Sequence, residues 1–118
     1  YRLKGGRGLD RTAYVDPDVV VRGDGVFIMY LAYSEFEGRC GGLGCQRLQA
    51  AYSNDSLNFN LDSRDLLTAG EGAVGLVDFD VYQDSSGDWY MLYGEVSGDH
   101  RINLRVATPD AVTAARLG

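Results

Sequence analysis

Along the chain, short apolar runs rich in β-branched and aromatic residues alternate with glycine-containing polar clusters, and no segment sustains a helical period. Val19-Val20-Val21 and Val26–Tyr33 have the composition of strands, because such side chains fit a pleated, half-buried surface. Between them lies Arg22-Gly23-Asp24-Gly25, and Asp-Gly joining two such runs marks a hairpin turn. Residues 46–53 predict a third strand, and the segment from Leu57 to Leu67 a fourth. The series then restarts with Asp78–Tyr82, a polar turn over Gln83–Asp88, Trp89–Tyr93 and a strand over Arg101–Thr108. The Ala-rich tail from Asp110 to Leu117 reads either as a short helix or as an outer strand. The pattern predicts an all-β chain.

The restart is an internal repeat. Asp16-Pro17-Asp18-Val19-Val20 aligns with Asp78-Phe79-Asp80-Val81-Tyr82 at an offset of 62 (78 − 16). Met29-Tyr30 aligns with Leu92-Tyr93 at 63 (92 − 29), which implies one extra residue in the second turn. Ala51–Leu57 can be laid on Val106–Val112 at 55 (106 − 51), with the short Ser97–His100 loop replacing the stretch from Glu35 to Cys45. Two blade-like repeats, approximately 14–67 and 76–118, therefore fill a single domain spanning 1–118. About four strands at this length fit a propeller blade. The expectation is two consecutive four-stranded antiparallel propeller-type blades, a partial β-propeller; the alternative is a β-sandwich built from the same strands. Two blades leave sheet faces uncovered, so the missing blades of a longer chain, or copies in a homo-oligomer, are expected to complete the ring.

Composition narrows the setting. At 118 residues, 45% hydrophobic and 24% charged, the chain is ordinary for a globular domain and unlike a disordered one. No apolar run approaches the roughly 20 residues of a membrane span, so no membrane partner is expected. The balance of 11 Lys+Arg against 17 Asp+Glu gives a net charge of −6, which repels phosphate backbones and argues against nucleic acid. A chain opening at Tyr1 without a recognisable leader reads as a fragment or processed product.

In order, the motifs resemble the five-bladed β-propeller glycoside hydrolases, the arabinanase, xylosidase, levansucrase and invertase superfamily. Its blades open with Asp-Pro-(Asp)-Val, continue into a tyrosine-rich strand of the type Gly-x-Trp/Tyr-x-Met/Leu-Tyr, and then carry Ala-x-Ser-x-Asp-Gly-x-x-Trp/Phe. The matching pieces are Asp16-Pro17-Asp18-Val19, Gly25–Tyr30 and Ala51–Phe59, then Asp78-Phe79-Asp80-Val81, Gly87–Tyr93 and Ala107–Asp110. The resemblance covers Tyr14 to Asp110. Departures are Ser56 and Ala111 in place of glycine, Phe79 in place of proline, and the insertion from Glu37 to Cys45.

Glycoside hydrolysis uses two carboxyl groups flanking the scissile bond. In the resembled family a blade-opening aspartate is the base or nucleophile, a second aspartate supports it, and a glutamate is the acid. The resemblance implies Asp16 for the first role and Asp78, its repeat equivalent, for the second. Glu95 and Glu71 are the candidates for the acid, and two blades alone need not hold a complete catalytic set; the alternative function is a non-catalytic propeller module that binds glycans or proteins or assembles with copies of itself. The alternative for the aspartates is structural, since such a carboxylate can bond nearby backbone N–H groups and fix a turn. Asp18 and Asp80 alternate with them and are expected in solvated or turn-bonding roles. Trp89 and Tyr33 are candidates for stacking on a sugar, with packing between blades as the alternative for these and the neighbouring tyrosines. The expected partner is an oligo- or polysaccharide.

The remaining chemistry is sparse. Asp84–Asp88 offers oxygen ligands but lacks the spacing and closing glutamate of a calcium loop, so it reads as a hairpin turn. His100 is the single histidine, which leaves zinc and Ser-His-Asp sites unsupported. No metal or other cofactor is expected. Cys40 and Cys45, separated by Gly-Gly-Leu-Gly, are spaced for a disulfide or stand as two free thiols. A disulfide would imply an oxidising compartment, extracellular or periplasmic.

Overall fold

Val26–Tyr33 is apolar at every position instead of every second one, the mark of a strand covered on both faces. The computed structural model describes residues 2–5, 12–35, 46–70, 72–110, 113 and 116–117, and in it this run forms most of strand β3, Phe27–Glu35. The other strands are β1 (Arg2–Lys4), β2 (Thr12–Val21), β4 (Arg47–Ser53), β5 (Asn58–Thr68), β6 (Ala73–Gln83), β7 (Trp89–Ser97) and β8 (Ile102–Ala107). They form two sheets, ordered β1-β5-β4-β3-β2 and β6-β7-β8. The chain is all-β, with its sheets packed face to face in a sandwich-like arrangement. Among the described residues no helix is long and apolar enough to cross a membrane. Cys40, Cys45 and Glu71 lie outside the described residues.

The expected four strands per repeat are corrected in both halves. The first sheet has five because Arg2–Lys4 pairs in parallel with Asn58–Asn60, a three-residue edge too short to show a pattern. Among the described residues the second has three. After β8 the Thr113 N–H donates to Asp110 Oδ1 at 2.7 Å, a bond of the helix-capping kind, and Thr113, Arg116 and Leu117 are helical. Leu117 is buried in the core between the sheets. Arg116 pairs with Asp62 and lies 5.5 Å from the centre of the Tyr52 ring. These tail residues thus pack on the first sheet and do not extend the second.

The register fixes the repeat more closely than residue matching does. Met29 pairs with Val19 and Ala51, while Met91 pairs with Val81 and Ala107. The structural offset is therefore 62 through the first two strands of each unit (91 − 29) and 56 in the third (107 − 51), correcting 63 and 55. The two turns are equally long, so there is no extra residue. Tyr30 corresponds to Leu92, and Tyr93 to Leu31. This slip matters because a one-residue shift exchanges the two faces of a strand.

With that register, the front face of the first sheet carries Ile28, Tyr30, Ala32, Leu48 and Ala50, which pack against Leu76, Phe79, Met91 and Tyr93 of the second. Met91 and Tyr93 are the equivalents of Met29 and Leu31, which lie on the back face of the first sheet in a separate cluster with Ala51 and Phe59. The front of one repeat therefore meets the back of the next, and the sheets are stacked head to tail.

Three hairpins use one turn geometry. The N–H of Arg22, Asp84 and Ser97 donates to the carbonyl four residues on, and the residue three on donates back, at 2.8–3.0 Å in all. That third position is left-handed in each: Gly25 (φ 86°), Gly87 (φ 89°) and His100 (φ 66°). Only the third occurrence uses a residue with a Cβ. His100→Gly is therefore expected to stabilise the fold by roughly 0.5–1 kcal/mol, read as a higher urea midpoint at unchanged slope. Ser56, where the resembled family has glycine, is likewise left-handed at φ 62°. Beside it, Asp55 accepts hydrogen bonds from the N–H groups of Asn58 and Leu57 at 2.8 and 2.9 Å and from Ser53 Oγ at 2.9 Å. These donors, the Asn58 N–H foremost, hold its pKa well below the ordinary carboxylate range.

Candidate functional site

Asp16 and Asp78 occupy the same place in the two repeats. Each sits at a β-bulge, between Val15 and Asp18 in β2 and between Val77 and Asp80 in β6. Their backbones agree to a degree, with φ 53° and 54°. Non-glycine residues are uncommon in the left-handed region, which aspartate and asparagine tolerate better than most, and such positions cluster at functional sites. Asp16 is half-buried and Asp78 exposed. Among the described residues no hydrogen bond or ion pair holds either carboxylate, so neither makes the turn-fixing bond that a structural role would supply.

The two bulged strands are brought together by the aspartate beside the first bulge. Asp18 Oδ2 accepts the backbone N–H of Val81 at 2.7 Å, joining β2 to β6. A second cross-link is buried: the Leu76 N–H donates to Gln46 Oε1 at 2.6 Å. Sequence reasoning gave Asp18 a solvated or turn-bonding role. It instead makes one of the two hydrogen bonds described between the sheets, and the signal was present as an Asp-x-Asp recurring at the repeat offset. Asp18 also lies near Tyr30, whose phenol is held well above its ordinary pKa, chiefly by burial, with Tyr52 and Asp18 adding to the effect. Asp18→Ala is expected to lose about 1.5–3 kcal/mol, because it removes a charged acceptor from a part-buried N–H. The exposed Asp80, the repeat equivalent of Asp18, should change stability by less than about 0.5 kcal/mol on the same substitution. Equal denaturation midpoints for the two variants would show that the inter-sheet bond contributes nothing.

The other candidates are placed differently. Glu95 is latched by both oxygens: the Gly70 N–H donates to Oε2 at 3.1 Å, and Arg105 Nη2 lies 3.4 Å from Oε1. Tyr33 is 0% exposed, and its ring centre lies 5.1 Å from that of Tyr14. That corrects the expectation that it meets a sugar: both faces of β3 are covered, so its ring packs. Trp89 is half-buried against the core between the sheets and lines, with Tyr30, Leu67, Val81, Met91 and Asp110, a cavity of about 160 Å³. In the Asp84–Asp88 turn, Asp84 Oδ1 accepts the N–H groups of Ser86 and Asp88 at 2.8 and 3.0 Å, which makes it a hairpin cap. Among the described residues no three His, Cys, Asp or Glu side chains gather as a metal site. Comparison with protein-family models and with curated proteins finds no match to this chain.

Proposed function

We propose that the chain forms two adjacent blades of a carbohydrate-active β-propeller, with β2 and β6 as inner strands and Asp16 and Asp78 presented to a glycan at the axis. The observation that carries this reading is the matched pair of left-handed bulges whose carboxylates, among the described residues, give the fold no bond in return. Head-to-tail stacking of the two sheets supports it further, because consecutive blades pack front to back. Asp16, the more enclosed, acts as base or nucleophile: it takes a proton from the attacking water or itself bonds to the anomeric carbon. Asp78 supports the positive charge that develops on the sugar ring. The glycosidic C–O bond breaks with its electron pair leaving on the aglycone oxygen. With Glu95 latched to Gly70 and Arg105, the proton donor for that oxygen belongs to another unit.

A dinitrophenyl leaving group departs as a phenolate and needs no proton donor, so dinitrophenyl arabinosides, xylosides and fructosides test this chain as it stands. Release of dinitrophenolate above the buffer rate is the expected result. Titration with the corresponding oligosaccharides should shift the amide resonances of residues 15–18 and 77–80 together. Turnover of none of the three, with no shift at the bulges, would reject the reading.

A further inference from the structure

We propose that the cavity between the two sheets is a binding site for a small neutral aromatic molecule with one hydroxyl group, a phenol in chemical class, anchored by Tyr30. This rests neither on the blade reading nor on chemistry at Asp16. The cavity holds about 160 Å³, whereas close-packed interiors have few voids larger than a water molecule. Both sheets wall it, Tyr30 and Leu67 from the first, Trp89, Met91 and Ala107 from the second. Leu117 of the tail, 5% exposed, adds to the wall.

Size and polarity select the occupant. An engineered apolar cavity of about 150 Å³ in a protein core stays dry and takes up benzene, so this one has room for a single aromatic ring with a small substituent. Sites for larger ligands run from about 300 Å³ upward, which leaves an oligosaccharide out. Among the described lining residues there is no Lys, Arg or His, so nothing in the wall neutralises an anion. The one carboxylate there, Asp110, is engaged, its Oδ1 accepting the Thr113 N–H at 2.7 Å. A monosaccharide would bring several hydroxyls against Leu, Val, Met and Ala side chains, where each unpaired hydroxyl is costly.

Tyr30 is a second, independent observation. It is 3% exposed and lines the cavity, yet its hydroxyl makes no hydrogen bond to another described residue. A buried hydroxyl without a partner costs the fold free energy. Burial, chiefly, holds this phenol above its ordinary pKa, so at neutral pH it keeps its proton and donates. A ligand oxygen carried in by an apolar ring accepts that O–H and supplies the missing bond. Trp89, half-buried in the same wall, gives the ring an aromatic packing partner.

Titration of the full chain with phenol, toluene and myo-inositol, followed by NMR, tests this directly. Phenol should shift the methyl resonances of Leu67, Met91, Ala107 and Leu117 saturably, and intermolecular nuclear Overhauser contacts should join its ring protons to them. Toluene should bind severalfold more weakly. Myo-inositol, a ring of similar size with hydroxyls all round, should leave these methyl groups unmoved. Tyr30→Phe should reduce the affinity for phenol to that for toluene and leave toluene binding unchanged. Ala107→Leu, which fills the cavity, should abolish both. If either variant fails to fold, the contacts in the unsubstituted chain decide the outcome. Shifts that never saturate would overturn the proposal, as would the same contacts from myo-inositol or an equal loss of both probes in Tyr30→Phe. None of these measurements involves a glycoside, so failure here is separable from failure of turnover at Asp16.

Discussion

Asp16→Asn is expected to lower dinitrophenyl glycoside turnover by roughly 10²–10⁴-fold, the range spanned by loss of a positioned acid–base group. Stability should hold within about 0.5 kcal/mol, because asparagine tolerates the left-handed region as aspartate does. The substitution keeps the shape of the side chain and its bulge geometry at φ 53°. It removes the charge that could take a proton or attack carbon. Asp16→Ala serves as a contrast: it abolishes the same chemistry and adds about 1–2 kcal/mol of backbone strain. A kinetic loss shared by both variants, with a stability loss confined to alanine, separates the chemical role from the conformational one. Asp78→Asn should reduce turnover less, since Asp78 is the exposed, supporting carboxylate. If Asp16→Asn turns over normally, the left-handed bulge belongs to the fold alone.

The strands were legible in the sequence because their causes are local. Branched and aromatic runs marked β2 to β8 to within a few residues at most ends, and Asp24-Gly25 and Gly87 marked the turns. The register was less legible. Matching Met29-Tyr30 to Leu92-Tyr93 rewarded the shared tyrosine, whereas hydrogen bonding through two turns of equal length aligns Met29 with Met91. That single step decides which face of β7 meets the first sheet, and residue similarity carries no information about it. Arg2–Lys4 gave no strand signal because three residues are too few to show a pattern, and it is extended by pairing with β5.

For the candidate site, the recurring Asp-x-Asp marked the two equivalent aspartates, but the bulges that hold them and the division of labour between neighbouring carboxylates were hidden. Which aspartate is left-handed and free, and which reaches the neighbouring sheet, depends on the bulge turning Asp16 off the pleat while Asp18 returns to it. Tyr33 illustrates the opposite error. A tyrosine ending an unbroken apolar run is more readily explained by a strand covered on both sides than by a ligand, and the run itself said so.

Leu76→Ala is expected to cost about 2–5 kcal/mol, a large part of the roughly 5–15 kcal/mol that holds a domain of this size together. Leu76 is 0% exposed and stands in the seam where the two sheets share a core. Its own N–H is tied across that seam to Gln46 Oε1 at 2.6 Å, so the backbone cannot easily move to fill the space a shorter side chain leaves. Leu104 supplies the control. It lies in the same sheet but is 81% exposed on the opposite face, so Leu104→Ala should change stability by no more than about 0.5 kcal/mol. Urea unfolding read by Trp89 fluorescence compares the two, since Trp89 packs against the same seam. A lower midpoint at constant slope for Leu76→Ala alone is the expected outcome. Equal midpoints would mean that the sheets fold without a common core, and the head-to-tail stacking that underlies both proposals would lose its energetic basis.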